Sequence, residues 1–449
     1  MIAGPWGMIR RRATHGLYIS TALVFLTGAG PLCASDTNLE EQVQSLREQN
    51  TTLQKQLQRQ GDLLGVLSQK VEDLEAAGAG HKPAASTVSD NASESTTGGL
   101  NFGRVNISGE GGVAFFNTGS EGSTPDSTFR VDEARLFLEA PVWNEVYFYS
   151  EVDLATRENT DLNLKLGELY LDFEDVSQLW GHDRQLNIRA GNLDIPFGEE
   201  YLTRNAIDDP LISRSLPDIW GIDPGVELYG SAGKFCYVVA VQNGSGANGV
   251  QDFDGDKSVA GRIGYDPARW LHLSVSGMRT GDLNVQNDQF SALWFGDGFF
   301  RSLGSPATST FHANLVEGDV SVRWASGHVS AFGGYARYGD SDPTADNGRN
   351  IFFYSVEGMQ QLPHKFYAAV RFSEIMADKG FPIVGYGNFG DYFFGSLSSE
   401  LWRLSLGVGY RFSDRLVIKT EYSFERGQEV DGERREHEDF LGTEAAFQF

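Results

Sequence analysis

The chain has 449 residues, more than one ordinary domain holds, with 40% hydrophobic and 12% aromatic residues and 53 glycines. Its mean hydropathy is −0.30, and after residue 34 no stretch supplies the ~20 consecutive apolar residues of a spanning helix, which excludes a helical membrane protein. The formal net charge of −25, from 61 acidic and 36 basic side chains, excludes a nucleic-acid partner held through its phosphates.

Residues 1–34 read as a secretory signal peptide. Arg10, Arg11 and Arg12 form the charged region, Leu17 to Leu26 the apolar core, and Leu32-Cys33-Ala34 a cleavage site before Ser35. Cys33 raises the question of a lipid anchor, but bulky Leu32 stands where such a site wants a small residue. Cleavage after Ala34 would leave Cys236 as the one cysteine, so no internal disulfide is expected.

Residues 36–76 carry a heptad pattern: Leu39, Val43, Leu46, Leu53, Leu57, Leu64, Leu67, Val71 and Leu74, with Asn50 and Gln60 at the remaining seam positions. This pattern predicts a coiled coil and self-association, and leaves two against three strands open. At 1.5 Å per residue the helix would run on the order of 60 Å, enough to reach from an outer membrane toward peptidoglycan. Residues 77–101 turn to Ala, Gly, Ser and Thr without periodicity, the composition of a flexible linker.

From 102 to 449 the period is two. Trp402, Leu404, Leu406, Val408, Tyr410 and Phe412 alternate with Arg403, Ser405, Gly407, Gly409 and Arg411, and Leu416, Ile418, Thr420, Tyr422 and Phe424 alternate with Val417, Lys419, Glu421, Ser423 and Glu425. One face suits lipid and the other water. Short connectors such as 141–144, 266–269 and 413–414 alternate with long ones at 196–223, 244–257, 280–311, 339–349, 376–399 and 426–436. The last strand ends on Phe449. The fold class expected is all-β, a 16-stranded antiparallel transmembrane outer-membrane β-barrel, preceded by a periplasmic coiled coil.

The stretch from Asn187 to Tyr229 holds a strand, a long polar excursion and a returning strand. Pro196, Pro210, Pro217 and Pro224 break regular pairing there. The excursion carries Arg204 and Arg214 among Glu199, Glu200, Asp208 and Asp209, which makes it a candidate pore-constricting loop. Alternation puts Arg135, Lys165, Arg189, Arg262, Arg323, Arg371, Arg403, Arg411 and Lys419 on the water face, together with Glu139, Glu151, Asp153, Glu168 and Asp172.

The run Arg189-Ala190-Gly191-Asn192-Leu193-Asp194-Ile195-Pro196-Phe197-Gly198-Glu199-Glu200, with its flanks Leu166 to Glu174 and Gly225 to Gly230, resembles the strand-to-loop motif of the phosphate- and polyphosphate-selective porins, porins O and P. The resemblance covers roughly 102–449. It implies sixteen strands, a homotrimer, an inward-folded third loop and a channel lined by basic side chains. The expectation is a passive pore for small ions and solutes in the outer membrane of a Gram-negative-type cell. Arg204, Arg214, Arg189, Lys165, Arg135 and Arg403 would favour phosphate-like anions, modestly, against Glu199, Glu200 and Asp208. The alternative is a structural anchor between the envelope and peptidoglycan.

Other chemistry finds little purchase. Asp252, Asp254 and Asp256 resemble half a calcium loop, but Ile263 stands where the bidentate acid belongs. His272, His312, His328, His364 and His437 are scattered, with no nucleophile motif beside them, so no enzyme, metal or cofactor is expected.

Overall fold

The computed structural model describes residues 100–102, 104–157, 164–244, 255–284, 308–342, 344 and 346–449. The signal peptide, heptads, linker, Asp252 and Asp254 lie outside the described residues. Sixteen long strands make one sheet: β1 Val105–Thr118, β2 Thr128–Trp143, β3 Val146–Ala155, β4 Lys165–Phe173, β5 Asn187–Asp194, β6 Ile222–Ala232, β7 Phe235–Gln242, β8 Ser258–Ala268, β9 Leu271–Arg279, β10 Thr310–Trp324, β11 Gly327–Asp340, β12 Arg349–Gln361, β13 Phe366–Phe381, β14 Ser398–Ser413, β15 Leu416–Glu429 and β16 Phe440–Gln448. Each pairs antiparallel with its neighbours in sequence, and β16 pairs with β1, Phe440 opposite Thr118 and Gln448 opposite Glu110, which closes the barrel. Closure satisfies every strand edge, the condition for crossing lipid with strands.

The alternation explains the wall. On β15, Val417, Lys419, Glu421, Ser423 and Glu425 are buried inside, while Leu416, Ile418, Tyr422 and Phe424 are exposed on the outside. The same division puts Leu169, Leu171, Val226, Leu228, Val239, Val241, Val275, Val316, Val356, Val370, Leu406 and Val408 on an outer apolar surface that lipid would cover. Connections of two to four residues join most strands at one end and long loops join them at the other. One departure is the β4–β5 connection, which contains a 3-10 turn, Val176–Trp180, and is far from tight.

Several strands outrun the expected boundaries. β13 continues to Phe381 and β15 to Glu429, where loops were expected from 376 and 426, and Pro224 lies inside β6 opposite Asn192 rather than in the loop. The physical reason is an apolar cluster inside the barrel at its long-loop end. Met278, Phe311, Ala313, Leu315, Ala336, Tyr338, Ile351, Phe353, Ile375, Ala377, Phe381 and Leu401 turn inward from β9–β14 and pack with Ile195, Phe197 and Ile219. Strand ends buried on both faces lose the polar-in, apolar-out signal and extend further than alternation predicts.

Candidate functional site

The loop between β5 and β6, residues 195–221, folds into the barrel. Its shoulders are apolar: Ile195, Phe197 and Ile219 belong to the interior cluster, and Leu216 packs against it. At Gly198, φ is +68° and a Cβ would collide with the Glu317 carboxylate, so only glycine fits this bend. The Gly198 amide donates to Ser276 Oγ on β9 at 3.0 Å, and its carbonyl accepts from Arg262 on β8.

A 3-10 turn, Glu200–Thr203, then redirects the chain. Glu200 ties the two arms of the loop together by accepting from the Ser215 amide at 2.9 Å and from the Ser215 hydroxyl. Burial, with the nearby Asp218 charge, pushes the Glu200 carboxyl above its ordinary range, against the pull of Arg371 and of the Ser215 bonds.

Charge fixes the middle of the loop to the opposite wall. Lys419 Nζ on β15 donates to the carbonyls of Ala206 at 2.7 Å, Asp209 at 3.0 Å and Leu211 at 2.7 Å. Glu421 Oε2, two residues on, accepts from the amides of Ile212 at 2.6 Å and Ser213 at 2.7 Å. Arg371 on β13 reaches the Ser213 carbonyl at 2.6 Å and Asp209 Oδ1 at 3.0 Å, and Arg403 on β14 reaches the Arg214 carbonyl at 3.1 Å. Arg411 donates to the Ile207 carbonyl at 3.0 Å. Leu211 sits where a side chain at Gly407 would otherwise stand. Burial alone would raise the Asp209 carboxyl, but Arg371, Lys419 and Arg214 more than offset it and hold it below the usual Asp range.

These contacts decide where the expected site residues lie. Arg204 is buried, paired with Asp218 and lying over the Trp220 ring at 4.1 Å. Arg214 is 6% exposed, 2.6 Å from Glu133 and 3.6 Å from Asp209. Arg403 is buried between Glu425, at 2.6 Å, and the Tyr386 ring, at 3.8 Å. The three arginines converge on the loop, but as its fastenings and not as groups facing an aqueous path. Glu199 accepts from His272 Nε2 at 2.6 Å and lies 3.8 Å from Arg262, whereas Asp208 is exposed and holds Asn205 at 2.8 Å.

Arg189, Arg135 and Lys165 belong to the wall of β2–β6. Arg189 pairs with Asp172 at 2.9 Å and Glu227 at 3.3 Å. Arg135 stands within 3.5–3.9 Å of Glu110, Glu133, Glu151 and Asp153. Half-buried Lys165 opens β4 opposite Asp153 in register. Asp256 is taken up by Arg279 at 2.8 Å and by the amides of Asp282 and Lys257, which hold its carboxyl at about 2.

Two features escaped the sequence. Glu421 and Glu133 were not singled out as loop partners, although charged residues facing water at Arg371, Arg403, Lys419 and Glu421 on three successive strands were a visible signal. The second is a pair of cavities between the loop and the turn end. One, of about 900 Å³, is lined by β1–β8, Tyr201, Leu202 and Asn205. The other, of about 310 Å³, is lined by β10–β13 and by Glu199, Glu200, Thr203 and Asp208.

No protein-family model and no curated protein matches the chain. Solved structures do. The outer-membrane channel DcaP of Acinetobacter baumannii superposes with a TM-score of 0.52 at 15% identity, over 78% of this chain and 99% of that one. OmpT, an outer-membrane protein of Vibrio cholerae, superposes with a TM-score of 0.52 at 12% identity, over 78% and 99%. Its trimer form gives 0.51 at 12% identity, over 77% and 99%. At such identities the likeness defines a fold, the closed 16-stranded barrel of outer-membrane channels.

Proposed function

We propose that the protein is a porin, a passive channel of the outer membrane for small ions and solutes, narrowed by residues 195–221. The observation that carries this reading is the loop itself: a segment pinned across the inside of a closed barrel by Lys419, Glu421, Arg371 and Arg403 sets an aperture and leaves hydrated chambers on its turn side. Pore dimension and wall charge at such a constriction set what passes. The outward apolar surface and the fold shared with outer-membrane channels support the location.

Phosphate preference has less support than the loop. Arg204 and Arg214 are spent on Asp218 and Glu133, so a concentrated basic constriction is not what they build. Assembly as a homotrimer is part of the proposal, supported by the heptads of 36–76 and by the trimer form of the similar OmpT. The same heptads make a tether to peptidoglycan an added role, with the barrel as its anchor. Planar-bilayer recording tests the porin reading: stepwise ohmic currents are expected on insertion, and a folded, inserted protein that passes no current would overturn it.

A further inference from the structure

The larger chamber, about 900 Å³ in volume, joins aromatic rings to carboxylates in a regular way. In the register of β2–β4, Phe137 stands opposite Glu151, Glu139 opposite Tyr149, and Tyr149 opposite Tyr170. The Tyr149 ring lies between the other two, near parallel to both, with centroids 6.3 Å from Phe137 and 5.0 Å from Tyr170. Rings and acids therefore alternate like squares on a board, and Phe137, Glu139, Tyr149 and Glu151 all line the cavity.

This wall already holds one organic cation of the protein's own. The Arg189 guanidinium lies 5.1 Å from the Tyr170 ring centre and 4.3 Å from that of Tyr229, with Asp172 and Glu227 at its edges. The charge balance of the lining favours more. Glu110, Glu139, Glu151, Glu168, Asp194, Glu227 and Asp414 face the chamber against Arg135, Arg189, Arg262 and Arg415. Arg135 is shared among four carboxylates, and Arg262 is committed to the Gly198 carbonyl and the Tyr201 ring. Glu110, itself 7% exposed, has an Oε1 that makes no hydrogen bond among the described residues. Among those residues no group of three acids, histidines or cysteines converges as metal ligands do, whereas ring faces beside carboxylates suit a desolvated ammonium or guanidinium head.

We propose that this chamber binds small organic cations, seating an ammonium or guanidinium head on the Tyr149 ring between Glu139 and Glu151. The inference rests on the porin reading for its meaning, as solute preference, but its binding step stands apart from conduction. The test is equilibrium dialysis of radiolabelled choline, with benzoate as the anionic counterpart, against the full protein in detergent, alongside bilayer recording of potassium current with added choline.

Saturable choline binding in excess of benzoate is expected, with a partial block of the current. Tyr149→Leu weakens binding roughly ten-fold and Tyr149→Phe restores it. Glu139→Gln, at an exposed position that folding does not require, weakens it as well. Choline bound no better than benzoate, or unchanged by Glu139→Gln, overturns the inference. Current without choline binding sinks the inference and spares the porin; choline binding without any current does the reverse.

Discussion

Lys419 and Glu444 face each other across β15 and β16 with Nζ 3.2 Å from Oε2, and neither side chain is more than 1% exposed. The lysine's other bonds all go to carbonyls of the inward loop, so the pair is where the barrel wall takes hold of its constriction. Lys419→Met keeps the length and removes the charge. Breaking a buried pair from one side typically costs about 3–5 kcal/mol, and here it leaves Glu444 and three carbonyls unanswered. The expected outcome is a larger, noisier single-channel conductance and a lower unfolding temperature of the barrel.

Arg214→Gln should act on folding more than on selectivity. It leaves Glu133, 1% exposed, without its 2.6 Å partner, again a cost of about 3–5 kcal/mol. The gel mobility shift on heating should move to lower temperature. With Arg204→Gln added, the reversal potential in a salt gradient should change little; a clear loss of anion preference in the double variant would mean that these arginines do face the solute.

Acid should release the loop late. The Asp209 carboxyl sits below the ordinary Asp range because Arg371, Lys419 and Arg214 outweigh its burial. A depressed value gives stability that is complete above the unfolded value of ~3.9 and is lost as pH falls through the lower folded one. Glu200 runs the other way: with its value raised by burial and Asp218, its contribution is complete below ~4.3 and fades as pH rises toward the folded value. Open-channel noise should therefore stay flat or fall from pH 7 to about 4, then climb steeply below ~3.9. Asp209→Asn should abolish the steep limb.

Phe353→Ala probes the apolar side. Phe353 is 2% exposed within the interior cluster, where truncation of a buried phenylalanine costs about 3–5 kcal/mol. A fall in thermal stability with unchanged ion preference is expected, measured by circular dichroism and reversal potential on one preparation.

The trimer is checked by native mass spectrometry of detergent extracts, where the full chain should run at three times its monomer mass. Removal of 36–76 should abolish co-sedimentation with cell wall while bilayer currents persist.

The wall was legible because lipid and water impose opposite demands on alternate residues: Ile418 beside Lys419 and Leu406 beside Ser405 read correctly from spacing alone. The inward loop was legible as a long proline-broken excursion between Asn187 and Tyr229. Its charges were not. Arg204 and Arg214 look in sequence like free cations among acids, and only packing shows that Asp218 and Glu133 have taken them. The cluster around Phe311 and Phe353 was hidden for a related reason: Ile351-Phe352-Phe353 is apolar on both faces, which reads as a loop-end irregularity until the interior is seen to be dry there. The ring-and-acid wall needs the cross-strand register of Glu139 with Tyr149, which spacing along one strand cannot supply.

The loop's shoulders are held by oil and its middle by ions, and the two respond to temperature in opposite senses. Apolar contact at Ile195, Phe197, Leu216 and Ile219 weakens on cooling. The desolvation cost borne by buried ions such as Lys419 and Arg371 shrinks on warming. Cold therefore slackens the stems while the tip stays fastened, so that the segment swings as a pendulum hung from β13–β15; heat keeps the stems seated and firms the tip. The aperture carries its own thermostat, set by which kind of glue evolution placed at each end.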